Sequence, residues 1–201
     1  MNNFYYTENP DVQHDEKNWE YSLLGNTLRF VSDNGVFSKN TVDYGSRVLI
    51  NAVDLANVPA GNVLDLGCGY GPIGLFLAKN NPERNFTMVD VNNLALSLAK
   101  RNASQNNIKN VDIFASNVYE NIDGKFAAII TNPPVRAGKQ VVDDMISGAY
   151  DHLIKDGTLT VVLQKKQGAP SAKKLMKVTF GNVKIVTRDK GYYILLSKKV
   201  D

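Results

Sequence analysis

The sequence predicts an α/β fold: a doubly wound, Rossmann-like, seven-stranded and mostly parallel sheet with helices on both faces. Short apolar segments alternate with segments of helical periodicity from residue 62 onward, which is typical of a parallel sheet. A glycine-rich turn follows the first of these apolar segments, where such folds bind ligands. Two closely spaced apolar segments near the end of the chain predict an antiparallel hairpin at one edge of the sheet.

The part of the chain before this alternation predicts a hairpin and a helix. Residues 19–23 and 27–32 have strand-like composition and flank a glycine-asparagine pair, which is a common hairpin turn. Apolar side chains recur at roughly helical spacing over residues 42–56, which predicts an amphipathic helix. We therefore expect an N-terminal extension with a β-hairpin over residues 1–41, and the α/β domain over residues 42–201.

The elements of the α/β domain follow in order from the alternation of apolar and amphipathic segments. The strand predicted at 126–131 is almost continuously apolar, which indicates a central position in the sheet. The predicted strands are residues 62–66, 86–90, 111–115, 126–131, 158–163, 183–187 and 192–197. The predicted helices are residues 72–79, 94–106, 141–153 and 171–176.

Composition excludes several classes of protein. The chain has 201 residues, of which 43% are hydrophobic and 21% charged, as expected for one globular domain. No apolar run approaches the ~20 residues of a membrane span, and the polar N-terminus does not resemble a secretory leader. The single cysteine fits a reducing compartment, so we expect a cytoplasmic location. The two histidines are far apart, and we expect no metal site.

Charge is unevenly distributed along the chain. Residues 155–201 contain eleven lysines and arginines against three acidic residues, whereas residues 1–154 contain 12 against 17. A basic segment of this kind can engage the phosphates of a nucleic acid. A solvated face that keeps the protein soluble is the alternative, and charge alone does not separate the two.

The sharpest local feature is the sequence DLGCGYGPIG over residues 65–74. It follows a predicted strand and opens a predicted helix, and its glycines allow the backbone to turn sharply and to approach a ligand. Gly69, Gly71 and Gly74 also satisfy the GxGxxG pattern of dinucleotide-binding proteins. The pattern itself leaves two cofactors open, NAD and S-adenosylmethionine, besides a tight turn without a ligand.

Two carboxylates near this turn favour S-adenosylmethionine. Asp65 precedes the glycines, where it would attract a cationic amino-acid group and repel a pyrophosphate. Asp90 ends the next predicted strand, where it can accept hydrogen bonds from both hydroxyls of a ribose. The second feature is shared with NAD-binding proteins, so the preference depends on Asp65.

The second sharp feature is Asn132-Pro133-Pro134-Val135, directly after the predicted central strand. The prolines remove two backbone donors and restrict the backbone, so that carbonyl groups remain as acceptors. An exocyclic amine on a base is a weak nucleophile, because its lone pair is delocalised into the ring. The Asn132 side-chain oxygen and the Pro133 carbonyl could hold both amine hydrogens and direct the lone pair at a methyl group. A turn that only ends a strand is the alternative.

These residues resemble the class I methyltransferase superfamily. More closely, the chain is similar to the small methyltransferase domain of the ribosomal RNA small-subunit methyltransferase C type, which makes N2-methylguanine, and to its single-domain bacterial relatives. The similar segments are residues 65–71 (donor motif), 132–135 followed by Gly138 (amino-methylating motif) and 35–47 (upstream segment). The resemblance covers about residues 20–200.

The resemblance implies a site in three parts. The catalytic set is Asn132, Pro133, Pro134 and Val135. The residues that contact S-adenosylmethionine are Asp65, Gly67, Cys68, Gly69, Gly71, Asp90, Val91, Ser116, Asn117 and Asn132. The residues that contact the substrate are Phe37, Ser38, Arg136 and Lys139.

Some of these assignments have a structural alternative. Ser38 or Thr41 could instead be the N-cap of the helix that follows. Arg136 and Lys139 suit either an RNA phosphate or plain solvent exposure. Cys68 suits a small filler of the turn, not a nucleophile.

Two departures from the family pattern affect function. Asn117 stands where the family usually has an aspartate, although its side-chain oxygen can still accept from the adenine amine. Val135 stands where adenine and glutamine methylators usually carry an aromatic residue, which favours guanine and leaves Phe37 or Tyr70 as the platform under the base. Tyr192 and Tyr193 suit packing in the sheet.

We therefore expect an S-adenosylmethionine-dependent methyltransferase that acts on the N2 amine of a guanine in ribosomal RNA. Its partner would be ribosomal RNA or a ribosomal subunit, and a monomer is the default. The alternatives are a glutamine N5-methyltransferase acting on a protein factor, an inactive RNA-binding relative and an NAD-dependent oxidoreductase.

Overall fold

The computed structural model describes residues 6–11 and 13–201. The strands in this part of the chain are β1 (Lys17–Leu23), β2 (Asn26–Ser32), β3 (Val63–Leu66), β4 (Phe86–Asp90), β5 (Val111–Ala115), β6 (Phe126–Thr131), β7 (Leu153–Gln164), β8 (Lys184–Asp189) and β9 (Tyr192–Lys198). The α-helices are α1 (Tyr44–Ala52), α2 (Pro72–Asn80), α3 (Asn93–Gln105), α4 (Lys139–Ser147) and α5 (Ala169–Phe180).

Seven strands form one sheet in the order β5-β4-β3-β6-β7-β9-β8. All neighbouring pairs from β5 to β7 are parallel, whereas β9 is antiparallel to both β7 and β8. This arrangement confirms the predicted fold class, including the antiparallel edge. The chain order reverses direction between β3 and β6, and the carboxyl ends of strands at such a point form a crevice for ligands.

The sheet separates two hydrophobic clusters, because successive side chains of a strand point to opposite faces. Val63 of β3 and Ile130 of β6 belong to the cluster that includes α1, α2 and α3. Leu64 of β3 and Ile129 of β6 belong to the cluster that includes α4 and α5. All four side chains are at most 1% exposed, so the strands of the two motifs are buried on both faces.

The hairpin β1–β2 packs on α2 and α3, and its side chains belong to the first cluster. Trp19 stacks on Phe30 at a ring-centroid distance of 4.9 Å, and Phe30 meets the edge of Tyr70 at 5.8 Å. Tyr70 lies in the glycine-rich turn. The hairpin therefore supports the back of that turn through a chain of aromatic contacts.

The boundary between α4 and β7 differs from the prediction. The helix predicted at 141–153 ends at Ser147, and a short 3-10 turn (Gly148–Tyr150) leads into β7 at Leu153. The pair Asp156-Gly157 forms a bulge inside β7, because Phe126 pairs with Leu153 and Ala128 pairs with Thr158. A buried leucine suits a helix and a strand equally, and only pairing with β6 decided between them.

The start of α1 also differs from prediction. The N-cap is Asp43, whose carboxylate accepts from the Ser46 backbone N–H at 3.1 Å, and neither Ser38 nor Thr41 fills that position. Ser38 instead has a φ of 55° and donates its hydroxyl to the Thr41 carbonyl. The predicted helix 42–56 is correspondingly shorter at both ends.

Candidate active site

A cleft of about 350 Å³ lies at the carboxyl ends of β3, β4, β6 and β7. Most of the predicted site residues line this cleft. They are Phe37, Ser38, Gly67, Cys68, Gly69, Asp90, Val91, Ser116, Asn132, Pro133, Pro134, Val135 and Arg136. Asp65, Gly71, Asn117 and Lys139 are not among its lining residues; Asp65 and Gly71 lie beneath it, in the glycine-rich turn.

The glycine-rich turn depends on two glycines for different reasons. Gly71 has a φ of 101°, a left-handed value at the start of α2 that side chains with a Cβ rarely adopt. Gly74 has an ordinary conformation but no room, because a Cβ there would lie 2.7 Å from the Met88 sulfur and 2.8 Å from Asp65 Oδ2. The second glycine thus allows α2 to pack directly against the strands.

Asp65 is a buried carboxylate with one unused oxygen. Its side chain is 1% exposed, and Oδ2 accepts from the Gly74 N–H at 2.8 Å. Oδ1 is buried and accepts no hydrogen bond. Burial raises the pKa of Asp65 to about 7. An ammonium group beside Oδ1 would satisfy this oxygen and favour the ionised form, which is the contact that the resemblance implies for Asp65.

Asp90 connects the end of β4 to the glycine-rich turn. Its Oδ2 accepts from the Gly69 N–H at 2.8 Å, and its Oδ1 accepts from the Asn92 N–H at 3.0 Å. Burial raises the pKa of Asp90 above the ordinary range of a carboxyl. Because the carboxylate lines the cleft and keeps free lone pairs, it suits a ribose diol as a bidentate partner.

The end of the cleft near Ser116 contains a contact that the sequence did not predict. The Tyr6 hydroxyl donates to Asn117 Oδ1 at 3.0 Å, and Asn117 Nδ2 donates to Glu120 at 2.9 Å. Tyr6 also lines the cleft. It lies in a polar lead-in without periodicity, so no sequence signal linked it to a residue 111 positions away.

Asn132 is held by helix α1. Its Nδ2 donates to Asp43 Oδ2 and to Ser46 Oγ, both at 3.0 Å. A carboxylate only accepts hydrogen bonds, so the amide nitrogen must face Asp43, and the amide oxygen is left for the cleft. Neither Asp43 nor Ser46 was predicted, although an aspartate three residues before a serine at a helix start is a recognisable cap.

The two motifs are joined at their strand ends. Thr131 is fully buried and donates its hydroxyl to the Leu66 carbonyl at 2.7 Å. After it, the Pro133 carbonyl accepts from the Val135 N–H at 2.9 Å, and Pro134 has φ −75° and ψ 81°, which is an inverse γ-turn. The Pro133 carbonyl thus keeps one lone pair for another donor.

The aromatic side chains at the mouth of the cleft differ in their exposure to solvent. Phe37 is 51% exposed and lines the mouth, whereas Tyr70 is 3% exposed and its hydroxyl donates to the Ser38 and Thr41 carbonyls at 3.2 Å. Tyr192 packs in the sheet, as expected, and also lines the cleft. Phe37 is therefore the more accessible of the two platforms named from the sequence.

Two further predicted residues have a clear setting. Lys139 pairs with Asp143 one turn along α4, and its side chain is 71% exposed. Cys68 is 3% exposed, and burial raises the pKa of its thiol well above the ordinary value, so it suits a packing role.

Comparison with known proteins identifies the family. The methyltransferase small domain family matches residues 27–196 of the chain. The chain belongs to this family.

Relatives match this chain over different fractions of their own length. Uncharacterized protein YbxB of Bacillus subtilis (strain 168) is 46% identical over the full length of both chains. Ribosomal RNA small subunit methyltransferase C of Aeromonas hydrophila is 37% identical over 82% of this chain, which spans 47% of that relative. The structure of the 16S rRNA N2 methyltransferase RsmC of T. thermophilus, in complex with AdoMet and guanosine, matches with a TM-score of 0.82 and 25% identity. That match covers 92% of this chain and 50% of the other.

Family membership decides between the two cofactors that the GxGxxG pattern left open. The cofactor is S-adenosylmethionine. The described residues contain no group of three or more His, Cys, Asp or Glu side chains that could hold a metal ion. Among the described helices, none is long and apolar enough to cross a bilayer.

Proposed function

We propose that the chain methylates the N2 amine of a guanine in ribosomal RNA. The observation that carries this proposal is the orientation of the Asn132 amide, whose nitrogen is bound to Asp43 and Ser46. The amide oxygen is therefore an acceptor in the cleft, and the substrate group that it selects must donate a hydrogen. An exocyclic amine has two such hydrogens.

Asn132 and Pro133 orient the amine. One hydrogen binds the Asn132 side-chain oxygen, and the other binds the remaining lone pair of the Pro133 carbonyl. The nitrogen lone pair then points away from both acceptors, towards the donor. S-adenosylmethionine, when bound, would supply the methyl group as an electrophile on its sulfonium, and its sulfur would keep the electron pair of the C–S bond. The amine carries a positive charge after transfer and loses a proton to water, so no strong base is required.

The residues around this pair favour guanine over adenine or glutamine. Val135 is half-buried and cannot stack on a ring as an aromatic residue would. Phe37, at the mouth, offers the exposed ring on which a base could lie. Exposed cations beside the cleft, including Arg136, Lys165 and Lys166, suit an RNA backbone. Relatives named as ribosomal RNA small subunit methyltransferase C support the same substrate class.

Methyl transfer to ribosomal RNA tests the proposal. Labelled S-adenosylmethionine would be incubated with naked ribosomal RNA and with separated subunits that lack native methylation, and the product would be digested to nucleosides. We expect label in N2-methylguanosine. Asn132→Ala should abolish the label, because the acceptor for the amine has been removed, while S-adenosylhomocysteine still binds through the other donor contacts.

Each other outcome has a definite meaning. Label on adenine would support the mechanism but contradict guanine as the methylated base. Label on a protein factor would support the glutamine alternative. Donor binding without any transfer to RNA or protein would support an inactive relative.

A further inference from the structure

A second groove of about 630 Å³ lies beside the cleft, between β1, α1 and β8. We call it the tyrosine groove. It is lined by Tyr21, Leu23, Tyr44, Arg47, Val48, Asn51, Ala52, Val186, Thr187 and Asp189. None of these residues belongs to the predicted site.

The groove and the cleft are separated by one pair of rings. Tyr44 lines the groove, Tyr192 lines the cleft, and their ring centroids are 5.6 Å apart. Tyr192 lies at the end of the cleft where the substrate would bind. Its ring packs against Gly45, and Asp43, which binds Asn132, lies beside Gly45. A polymeric substrate that leaves the cleft over Tyr192 would therefore enter the groove at Tyr44, the neighbouring ring.

Positive charge is concentrated at this boundary. The Arg47 guanidinium carbon lies 4.7 Å from the Tyr44 ring centroid, and Lys190 Nζ lies 5.0 Å from it. Arg47 Nη1 donates to the Tyr21 hydroxyl at 3.0 Å, whereas its Nε is buried without a hydrogen-bond partner. The one carboxylate of the groove, Asp189, already accepts from the Tyr44 hydroxyl at 2.6 Å.

The rest of the groove combines an apolar wall with a polar edge. Val186 is 39% exposed, and Val48 and Ala52 continue the apolar surface from α1. Asn51 donates its Nδ2 to the Arg47 carbonyl at 3.0 Å, which leaves its oxygen as an acceptor, and Thr187 adds an exposed hydroxyl. A flat apolar face, hydrogen-bonding groups at its edge and cations at one end suit a nucleotide with its phosphate.

We propose that the tyrosine groove binds the nucleotide next to the methylated guanine in an unpaired RNA strand. This inference rests on the proposed function, because a guanine can enter the cleft only when it is unstacked from its neighbours. The adjacent base would lie on the wall formed by Ala52 and Val186. Its phosphate would lie beside Lys190, at the end of the groove that Arg47 also lines.

Thr187→Glu tests the groove without disturbing its packing. The residue is exposed, and the substitution places a negative charge on the edge where the nucleotide would bind. Val178→Glu is the matched control, since Val178 is 75% exposed on α5 and receives the same charge on a different element. KM and kcat for ribosomal RNA would be measured for both, together with the affinity for S-adenosylhomocysteine.

We expect Thr187→Glu to raise KM for RNA about tenfold, with kcat at saturating RNA and donor affinity unchanged, and Val178→Glu to resemble wild type. Lys190→Gln should reduce the slope of log affinity against log salt by about one. Equal KM values for the two glutamate variants would overturn the groove while leaving the proposed function intact.

Failure of the proposed function would look different. If the wild type transfers no methyl group to RNA, the affinity of the same variants for a fluorescent unpaired RNA oligonucleotide would be compared by anisotropy. Weaker binding by Thr187→Glu alone would still support the groove. Equal binding by the two glutamate variants would overturn it. A change in oligomeric state caused by Thr187→Glu would also overturn it, and would indicate an interface between copies of this chain.

Discussion

At the scale of single residues, the Asp43 carboxylate connects a helix cap to the site. One oxygen, Oδ2, accepts from the Ser46 backbone N–H and from Asn132 Nδ2. The same contact that begins α1 therefore sets which end of the Asn132 amide faces the cleft. We propose Asp43 as a positioning residue, which would act on the substrate through Asn132.

Asp43→Asn should lower kcat by roughly ten- to a hundredfold, with the affinity for S-adenosylhomocysteine unchanged. Asparagine is also a good N-cap, so helix α1 should persist. Its own amide can donate as well as accept, however, and Asn132 loses the partner that determined its orientation. Steady-state kinetics and thermal unfolding would be compared with Asp54→Asn, which removes the same charge from an exposed site. A variant with wild-type kcat would exclude the positioning role.

If Asp65 binds the ammonium group of the donor, donor binding should depend on pH. Its pKa of about 7 in the free protein means that half of the molecules carry a neutral carboxyl near neutrality. An ammonium group binds the ionised form, so donor affinity should increase as pH rises and level off above about 7. Below pH 7 the affinity should weaken by up to about tenfold per pH unit.

Calorimetric titration with S-adenosylhomocysteine from pH 5.5 to 8 would measure this dependence. Asp65→Asn should bind weakly at every pH, and any dependence that it keeps would belong to Asp90, whose pKa is also raised. A wild-type affinity that does not change over this range would contradict the assignment.

At the scale of elements, Asn102 of α3 and the C-cap residue Asn106 attach the edge of the hairpin. Asn102 bonds both the N–H and the carbonyl of Val31, and Asn106 does the same for Arg29. Four residues of a helix rise about 6 Å and two residues of a strand about 6.6 Å, so the two side chains meet alternate residues of β2. Asn102 is fully buried and also donates to the Tyr70 carbonyl, whereas the Asn106 contact is exposed.

Asn102→Ala should destabilise the protein by about 1–3 kcal/mol more than Asn106→Ala. Removing the buried side chain leaves the N–H and carbonyl of Val31 without partners and away from water, while water can replace Asn106. Urea unfolding of both variants gives the difference in the free energy of unfolding. Equal losses would mean that the hairpin edge opens to water readily.

The elements also differ in how well their boundaries could be predicted. The central strand β6 was predicted at its observed bounds, because a continuous apolar run between turn residues has few alternatives. The transition from α4 to β7 was not. Gly148, just after α4, packs against the Tyr119 ring so closely that a Cβ there would lie 2.8 Å from it. That contact is between residues distant in sequence, so no local pattern reports it.

At the scale of the whole molecule, ligand binding should stabilise the entire fold. Much of the cleft is formed by loops that follow β3, β4 and β5, and Asn132 joins them from the end of β6. Unfolding of any of these strands would remove the site, so a ligand that binds only the native state must stabilise it.

S-adenosylhomocysteine at about a hundred times its Kd should raise the free energy of unfolding by about 2.7 kcal/mol. NAD at the same concentration should have no effect, since Asp65 would repel its pyrophosphate. Thermal or urea unfolding with each ligand measures both. Protection by NAD and none by S-adenosylhomocysteine would contradict the cofactor assignment.

The sequence by itself determined the fold class, the glycine-rich turn and the Asn-Pro-Pro motif, because each depends on local periodicity or on residues that restrict their own backbone. It also indicated Asp65 and Asp90, since both stand at strand ends beside the turn. The tertiary structure alone decided the contacts that complete the site. Asp43 and Asn132 are 89 positions apart, and Tyr6 and Asn117 are 111 apart. Hydrogen bonds over such distances leave no trace in local pattern, because either partner would look the same if the other were absent.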